Sequence, residues 1–224
     1  MNISMILPVY NESKTVDRML SQLDTQPGDW EILFADGGSA DDTVEKIGSR
    51  YRVLHSPKGR ANQMNHGAAN ASAEVLWFVH CDSVLPEDAH SQIQAAVENG
   101  ADWGCFHIGF DYNGPFMGCN TCLSNRRAGK GIPFGDQGIW VKKTVFEEMG
   151  GFPDLPIMED YEFSLRMKDR GYAFRQLPGR IITSGRRYEK RCPLITMWQM
   201  FHLRCLYRKG TDIQEIARRY KDIR

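Results

Sequence analysis

Residues 75–80 read VLWFVH, and Cys81 and Asp82 follow this continuous apolar run directly. A run without polar alternation is typical of a central strand that is covered on both faces of its sheet. The segments ISMILPV at 3–9 and EILFAD at 31–36 have the same character. Together these three runs predict the middle of one buried, mainly parallel sheet.

Helix-length segments alternate with the strand-like runs. Residues 13–23, 42–49 and 62–71 fit helices, a short strand is expected at 52–55, and a further helix begins at Pro86. This alternation predicts an α/β fold in which helices cover both faces of a mainly parallel central sheet. Beyond residue 100 the pattern predicts strands near 103–110 and 138–142, helices near 116–127, 143–149 and 159–170, and then a helical tail.

The composition of the 224 residues excludes disordered and low-complexity architectures, because 42% are hydrophobic and 25% are charged. No apolar run approaches the ~20 residues that cross a bilayer, and the N-terminus lacks a signal-peptide pattern, so a cytoplasmic protein is expected. We expect one domain at 1–180 and a basic helical extension at 181–224 packed on it. Cys119 and Cys122 have the spacing of a zinc or redox half-site, but without a nearby second pair they are predicted to be buried thiols.

The charge of the chain is unevenly distributed, although its formal net charge is zero. Residues 180–224 contain twelve Lys or Arg and four Asp or Glu, so this end is expected to contact something anionic. A phosphate group, a lipid headgroup and the acidic remainder of the chain all fit this description, and no nucleic-acid partner is predicted. The segment 197–208 mixes large apolar side chains with Arg, as interfacial helices do, which predicts either peripheral membrane contact or packing on the domain.

Polar side chains follow three of the predicted strands: Asn11 and Glu12, then Asp36, then His80 and Asp82. Ligands of parallel sheets bind beyond the carboxyl ends of the strands, so these residues are candidates for a site. A carboxylate such as Asp82 suits a divalent cation, although Asp also caps turns and helices. His80 could be a second metal ligand, a donor to a ribose, or a strand-end histidine with a structural role.

Two further segments favour an anionic or nucleotide ligand. Asp36 opens the turn Asp-Gly-Gly-Ser, whose glycines permit close approach of a ligand, although a plain tight turn explains them equally. Arg60 follows Lys58 and Gly59 at the start of a predicted helix, where the helix dipole and the guanidinium group both favour phosphate. The alternative for Arg60 is a solvated surface side chain.

Acidic residues also begin the helix predicted at 159–170. The helix dipole alone favours Glu159 and Asp160 there, but a carboxylate at this place could also remove a proton from an attacking hydroxyl. Such general-base catalysis contributes about 10²–10⁴-fold to a rate. The polar loop that contains Asp136 and Gln137 is expected to face the molecule that carries this hydroxyl.

Taken in order, PVYNE at 8–12, DGGSADDT at 36–43, the His80-x-Asp82 pair and Glu159-Asp160 resemble glycosyltransferase family 2 over roughly residues 1–175. The loop GDQG at 135–138 and SGRRY at 184–188 extend the resemblance to a short bacterial branch associated with radical-SAM or selenium proteins. The resemblance implies a GT-A fold and a nucleoside diphosphate sugar as donor. It also implies Mg²⁺ or Mn²⁺ and transfer to a hydroxyl acceptor with inversion.

The resemblance also implies a role for each candidate residue. Asp160 would be the general base, and Glu159 would orient the acceptor or the base. Asp82 and His80 would hold the metal ion, and Arg60, Arg186 and Arg187 would neutralise the diphosphate. The loop residues Asp136 and Gln137 would contact the acceptor. The nucleotide would be lined by residues from the first two strand ends and the following basic segment: Pro8, Tyr10, Glu12, Asp36 and Arg60.

Two departures from the family pattern affect these implications. The usual Asp-Asp-Gly-Ser reads Asp-Gly-Gly-Ser at 36–39, and the usual Asp-x-Asp reads His-Cys-Asp at 80–82. Each removes one carboxylate, so a sugar-nucleotide-binding protein without catalysis is an alternative. The sequence carries neither the Gln-x-x-Arg-Trp motif nor the membrane helices of processive synthases, so a single addition is expected. A transferase acting at a membrane surface on a lipid-linked acceptor is a further alternative.

Overall fold

The computed structural model describes residues 1–189 and 192–220. Its described part contains one seven-stranded sheet, in the spatial order β3-β2-β1-β4-β6-β5-β7. The strands are β1 (Ile3–Val9), β2 (Trp30–Asp36), β3 (Arg52–His55), β4 (Val75–Phe78), β5 (Trp103–Phe110), β6 (Trp140–Lys142) and β7 (Phe174–Thr183).

Helices connect the strands and continue beyond the last one. In chain order they are α1 (Val16–Leu23), α2 (Thr43–Ile47), α3 (Arg60–Asn70), α4 (Ala89–Glu98), α5 (Met117–Ala128), α6 (Lys143–Glu148), α7 (Glu159–Asp169), α8 (Arg186–Glu189), α9 (Pro193–Arg208) and α10 (Ile213–Arg219). A 3₁₀ turn covers Gly135–Gln137.

The predicted mainly parallel α/β sheet is confirmed. Neighbours β3, β2, β1 and β4 pair in parallel, as do β5 and β7, and only β6 runs antiparallel to its two neighbours. The apolar run at 75–80 forms a four-residue strand in which every residue is buried. Val79 and His80, the last two residues of the run, follow the strand at the edge of the sheet where the polar side chains lie.

Strand β7 lies in a segment for which the sequence predicted no strand. Its burial pattern is irregular, and its register against β5 shifts between Leu177 and Arg180, so Pro178 and Gly179 bulge out of the pairing. The strand also crosses the predicted boundary at residue 180, since it continues in the sheet to Thr183. The boundary between the sheet and the helical extension therefore lies beyond this residue, which corrects the prediction.

Two apolar clusters hold the helices to the two faces of the sheet. One contains Trp77 and Phe106 with the buried residues of α1 and α4, and the other contains Trp103 and Phe163 with those of α3. Because alternate side chains of a strand point to opposite faces, the continuous apolar runs supply both clusters at once. The strand ends that carry the candidate site are thus held by packed apolar side chains on both faces of the sheet.

A third cluster seats the C-terminal helices against α7. Leu203 of α9 and Ile216 of α10 are buried with Met158 and Tyr161. The hydroxyl of Tyr207 donates a hydrogen bond to Glu162 Oε2 at 2.7 Å. Within residues 1–189 and 192–220, no helix combines the length and apolar character that a membrane span requires.

The cysteine prediction needs correction. Cys119 and Cys122 are exposed on α5 rather than buried. The helix turns its buried face, with Met117, Asn120 and Ala128, toward the domain, and both thiols fall outside that face. No group of three potential metal ligands occurs around them or elsewhere in the described residues.

Candidate functional site

A cavity of about 770 Å³ opens at the edge of the sheet where β1 and β4 end. All of the predicted site residues line it except Asp36 and Gln137. Its walls come from the ends of β1, β4 and β7, the start of α3, the start of α7, and the C-terminal helices. The side chains that the sequence did not single out include Lys58, Gln63, Phe110, Phe134, Tyr188, Met200 and Tyr220.

The loops after β1 and β2 are joined by hydrogen bonds at the cavity rim. Asn11 has a positive φ of 53°, a conformation that Asn tolerates better than most residues, and its Oδ1 accepts from the Ala40 N–H at 2.9 Å. The Asn11 N–H in turn donates to Ser39 Oγ at 3.0 Å, and the Glu12 N–H donates to Thr43 Oγ1 at 2.8 Å. These reciprocal bonds fix the backbone that presents Tyr10 and Glu12 to the cavity.

Positive charge is concentrated beside the β1 loop, at the start of α3. Lys58 Nζ lies 4.0 Å from the centre of the Tyr10 ring, a cation–π distance. Arg60 begins α3, so its guanidinium group adds to the positive end of the helix dipole. This part of the cavity therefore suits an anionic ligand with a flat group beside it.

Asp36 is buried at the end of β2 and serves the turn that follows. Its carboxylate accepts hydrogen bonds from the Gly38 N–H and the Ser39 N–H, each at 3.1 Å, and His55 Nδ1 lies 3.5 Å away. This geometry matches the tight-turn alternative, because these bonds orient the carboxylate toward the turn. The buried Gln63 lies at the cavity instead, and its Nε2 donates to the carbonyls of Val9 at 2.7 Å and Ala35 at 2.8 Å.

Asp82 forms an ion pair with the C-terminal segment. Its Oδ2 lies 3.2 Å from Arg186 Nη2, and its side chain is 25% exposed. The described residues contain no group of three His, Cys, Asp or Glu arranged as a metal site. Ions such as Mg²⁺ are held by one or two carboxylates together with substrate phosphates, so the donor set here fits a divalent ion only when a phosphate ligand completes it.

His80 and Asp160 approach the same glycine from two sides. A Cβ at Gly135 would lie 3.1 Å from His80 Nε2 and 3.3 Å from Asp160 Oδ2. Glycine suits this close approach, since a methyl group would crowd both polar atoms unless they shifted by a few tenths of an ångström. The Gly135 N–H donates to Asp160 Oδ2 at 2.6 Å, and this bond fixes the carboxylate at the cavity wall.

Glu159 and Asp160, adjacent in sequence, occupy different environments. Glu159 is buried, and its Oε1 lies 3.4 Å from Arg60 Nη1. Burial raises the pKa of Glu159, and the neighbouring charge of Asp160 raises it further, while Arg60 opposes both effects. Met158, just before them, has φ 70°, which is unfavourable for a residue with a Cβ and directs the chain into α7. Asp160 keeps access to the cavity, and Glu159 anchors Arg60.

The acid and the amide of the 135–138 loop, Asp136 and Gln137, also occupy different environments. Burial raises the pKa of Asp136 to about 6, with the Arg127 guanidinium opposing that rise, and its Oδ1 is enclosed without a hydrogen-bond partner among the described residues. Gln137 is fully buried, and its Oε1 accepts from Arg127 Nη2 and the Phe134 N–H, both at 3.3 Å. The expectation that Gln137 contacts an acceptor is therefore wrong, because its buried amide binds Arg127 and the backbone of its own loop instead of facing the cavity.

The C-terminal segment adds a third arginine, Arg187, to the cavity wall. Arg187 Nη2 donates to the Tyr220 hydroxyl, and its guanidinium carbon lies 4.6 Å from the centre of the Tyr220 ring. The ring of Tyr188 packs edge-on against Phe110 at 5.4 Å. Arg186 and Arg187 thus contact different partners: Asp82 after β4 and Tyr220 just beyond α10. Both guanidinium groups remain part of the cavity lining.

Comparison with known proteins identifies relatives of this chain. The model of glycosyl transferase family 2 matches residues 4–133. Poly-beta-1,6-N-acetyl-D-glucosamine synthase of Staphylococcus epidermidis is 35% identical over 95 residues, which are 39% of this chain and 23% of that enzyme. An uncharacterized glycosyltransferase of Mycobacterium tuberculosis is 29% identical over 181 residues, covering 73% of this chain and 68% of the relative.

Two solved structures show the same fold at low sequence identity. Residues 1–349 of TarS from S. aureus, in complex with UDP-GlcNAc, align with a TM-score of 0.66 and 18% identity, over 83% of this chain and 59% of that one. A mannosyltransferase from Pyrobaculum calidifontis, in complex with GDP-Man and Mn²⁺, aligns with a TM-score of 0.66 and 16% identity, over 90% and 60%. The chain thus spans about 60% of these two structures. Its fold is of the GT-A type, and because the family model matches more than half of its residues, the chain belongs to glycosyl transferase family 2.

Proposed function

We propose that the protein transfers a sugar from a nucleoside diphosphate sugar to a hydroxyl group of an acceptor, one sugar at a time and with inversion at the anomeric carbon. The observation that carries the proposal is that a carboxylate on one wall, Asp160, shares a single cavity with Asp82 and several arginines. Such a cavity holds separate places for a proton acceptor and for a diphosphate.

The donor occupies the side of the cavity formed by the β1 loop and the start of α3. Tyr10 and Glu12, with Pro8 behind them, line the nucleoside, and Lys58 and Arg60 face the phosphates. Solved relatives in complex with UDP-GlcNAc and GDP-Man support a nucleotide sugar as the ligand class. Asp36 contributes indirectly, because it shapes the turn beside the nucleoside rather than the cavity surface.

The leaving diphosphate gains negative charge as the bond between sugar and phosphate breaks. Arginines fixed in advance near the phosphates stabilise this charge as it develops, and Arg60, Arg186 and Arg187 line the cavity for this role. A divalent ion, Mg²⁺ or Mn²⁺, supplies further charge neutralisation when it is bound, with Asp82 and His80 as the protein groups that would hold it. Mn²⁺ in the mannosyltransferase complex supports this proposal.

Asp160 accepts the proton of the attacking hydroxyl. As the acceptor oxygen bonds to the anomeric carbon, its proton passes to the Asp160 carboxylate and the electron pair of the breaking bond leaves with the diphosphate. The Gly135 N–H donates a hydrogen bond to Oδ2 of this carboxylate. This bond fixes the orientation of the carboxylate before the acceptor hydroxyl binds. Attack on the side of the sugar opposite the diphosphate inverts the centre, and Asp136 lies beside Asp160 to contact the acceptor.

A nucleotide-sugar-binding protein without catalysis is the second candidate, because His80 stands where the family pattern has a carboxylate. The two functions are separated by measuring nucleoside diphosphate release from a panel of sugar nucleotides, with wild type beside Asp160→Asn. We expect the substitution to lower turnover by about 10²–10⁴-fold while binding of the nucleoside diphosphate is retained.

Asp169→Asn is the matched control, since this exposed aspartate lies at the opposite end of α7. It should leave turnover unchanged. Equal turnover of wild type and Asp160→Asn would exclude Asp160 as the base. Binding of nucleoside diphosphates without turnover of any sugar nucleotide, in the presence of Mn²⁺, would favour the binding protein.

A further inference from the structure

Helix α9 exposes an unusual set of large apolar side chains. Pro193, Thr196 and Leu203 are buried against the domain, whereas the outer surface of the helix carries Leu194, Ile195, Trp198 and Phe201, exposed by 46%, 59%, 64% and 57%. Positions 194, 198 and 201 follow the spacing of one helical stripe. The four side chains therefore form one contiguous surface, which we call the α9 stripe.

The charges around the α9 stripe are positive. Helix α9 contains no acidic residue, and Arg208 and Lys209 at its end are exposed. The two acids of the following segment are already engaged: Asp212 caps α10 by accepting the Gln214 N–H at 2.6 Å, and Glu215 pairs with Arg219. Among the residues that the structure describes, no acid pairs with the cations at the C-terminal end of this apolar surface, which matches an anionic partner surface.

The size of the α9 stripe argues against a second copy of the chain as its partner. Four side chains of these types at these exposures present on the order of 400 Å² of apolar area, the size of a functional surface patch. A stable dimer buries about 800 Å² on each partner. A bilayer interface requires no matching protein surface, and Trp, Phe and Leu flanked by Arg and Lys are the residues by which helices lie in it.

We propose that the α9 stripe docks the protein onto bilayers that contain anionic lipids, with Trp198 and Phe201 at the level of the headgroups and Arg208 and Lys209 on their phosphates. Met200 of the same helix lines the cavity, so docking places the cavity mouth beside the lipid surface. This inference goes beyond the transfer reaction and does not depend on it. Docking requires no sugar nucleotide.

Sedimentation with vesicles tests the proposal on the full chain without any nucleotide. Wild type should sediment with phosphatidylglycerol–phosphatidylcholine vesicles at low salt, and binding should fall at ~1 M salt, where the screening length is about 3 Å. Phosphatidylcholine vesicles alone should bind it far more weakly. Trp198→Ser and Phe201→Ser should each lower the partition coefficient about tenfold or more, because each removes a large apolar group from the interface.

Leu123→Ser is the matched control, because Leu123 is an equally exposed apolar residue on α5. It should leave vesicle binding unchanged, and circular dichroism should show all three variants folded. A second readout uses the Trp198 indole, since Trp77, Trp103 and Trp140 are fully buried and Trp30 is partly buried against the core of the domain. Brominated lipids should quench the fluorescence of wild type, and Trp198→Phe should abolish this quenching while vesicle binding persists.

Several results would overturn the proposal. Failure to sediment with anionic vesicles at low salt is one, and equal binding to neutral vesicles is another. Sedimentation equilibrium would expose the alternative partner: a wild-type dimer that Trp198→Ser converts to a monomer, with no vesicle binding, would assign the α9 stripe to self-association. None of these results bears on sugar transfer, so the two proposals fail separately.

Discussion

Replacing Asp136 by Asn should stabilise the protein at neutral pH. Burial raises the pKa of this carboxyl group from 3.8 to about 6, with Asp160 adding to the rise and Arg127 opposing it. A raised pKa means that the folded state favours the protonated form. Above pH 6 the fold therefore contains a carboxylate that costs free energy, and asparagine keeps a similar shape without that charge.

The magnitude follows from the size of the pKa difference. Each pKa unit corresponds to about 1.4 kcal/mol, so the free energy of unfolding of wild type should fall by roughly 3 kcal/mol, relative to Asp136→Asn, as pH rises through the window from 3.8 to about 6. In this window the folded state binds more protons than the unfolded state, which gives the sign. Below the window both proteins carry a neutral side chain, and above it the difference is constant.

Urea unfolding of both proteins at a series of pH values from 4 to 8 measures this difference directly. Asp41→Asn is the matched control, because hydrogen bonds from Thr43 and Ser13 lower the pKa of Asp41 to about 2. Asp41 is ionised in both states above pH 5, so its difference from wild type should be flat there. A flat profile for Asp136→Asn, or a slope of opposite sign, would refute the description of Asp136 as a partly buried carboxyl group whose ionised form is disfavoured in the fold.

Two further outcomes are expected. Gly138→Ala should lower the free energy of unfolding, measured by urea denaturation, by about 2–4 kcal/mol. Gly138 has φ +60°, and a Cβ there would lie 2.3 Å from Ile181 Cδ1. A variant as stable as wild type would contradict this. Mn²⁺ alone should leave the melting temperature unchanged, because Asp82 needs phosphate oxygens to complete a metal site. Mn²⁺ together with a nucleoside diphosphate should raise the melting temperature above the value measured with the nucleotide alone. A rise with Mn²⁺ alone would instead show a metal site made by the protein only.

The sheet was largely predictable because its strands are coded by continuous apolar runs. The runs at 3–9 and 75–80 are buried on both faces, so their composition alone identifies them. Strand β7 escaped prediction since it lies at the edge of the sheet, has an irregular burial pattern and contains Pro178 and Gly179 at its bulge. Such a strand depends on pairing with β5, which a local pattern does not record.

The site was predictable to the extent that sheet topology determines it. The carboxyl ends of β1 and β4 meet because the strands are parallel neighbours, so Glu12 and Asp82 were expected in one cavity. Side-chain direction was not predictable. Asp36 turns to its own loop, and Gln137 turns inward to Arg127. The sequence left the turn and ligand alternatives for Asp36 open, and its bonds to Gly38 and Ser39 match the turn. The contact of Gln137 with Arg127 depends on how the folded chain places the two residues, which a local pattern does not record.

The ion pair between Asp82 and Arg186 is the reason why the proposed metal ion and nucleotide should bind together. The two residues are 104 positions apart, and Arg186 Nη2 neutralises the carboxylate that a cation would use. A divalent ion that binds alone would have to displace this guanidinium group and leave it without its partner. A diphosphate that binds with the ion would supply a new anionic partner for Arg186, so both charges would be satisfied after the exchange. The C-terminal segment is therefore electrostatically linked to the end of β4, and in the proposed reaction the same arginine would pair with Asp82 before binding and with the leaving diphosphate afterwards.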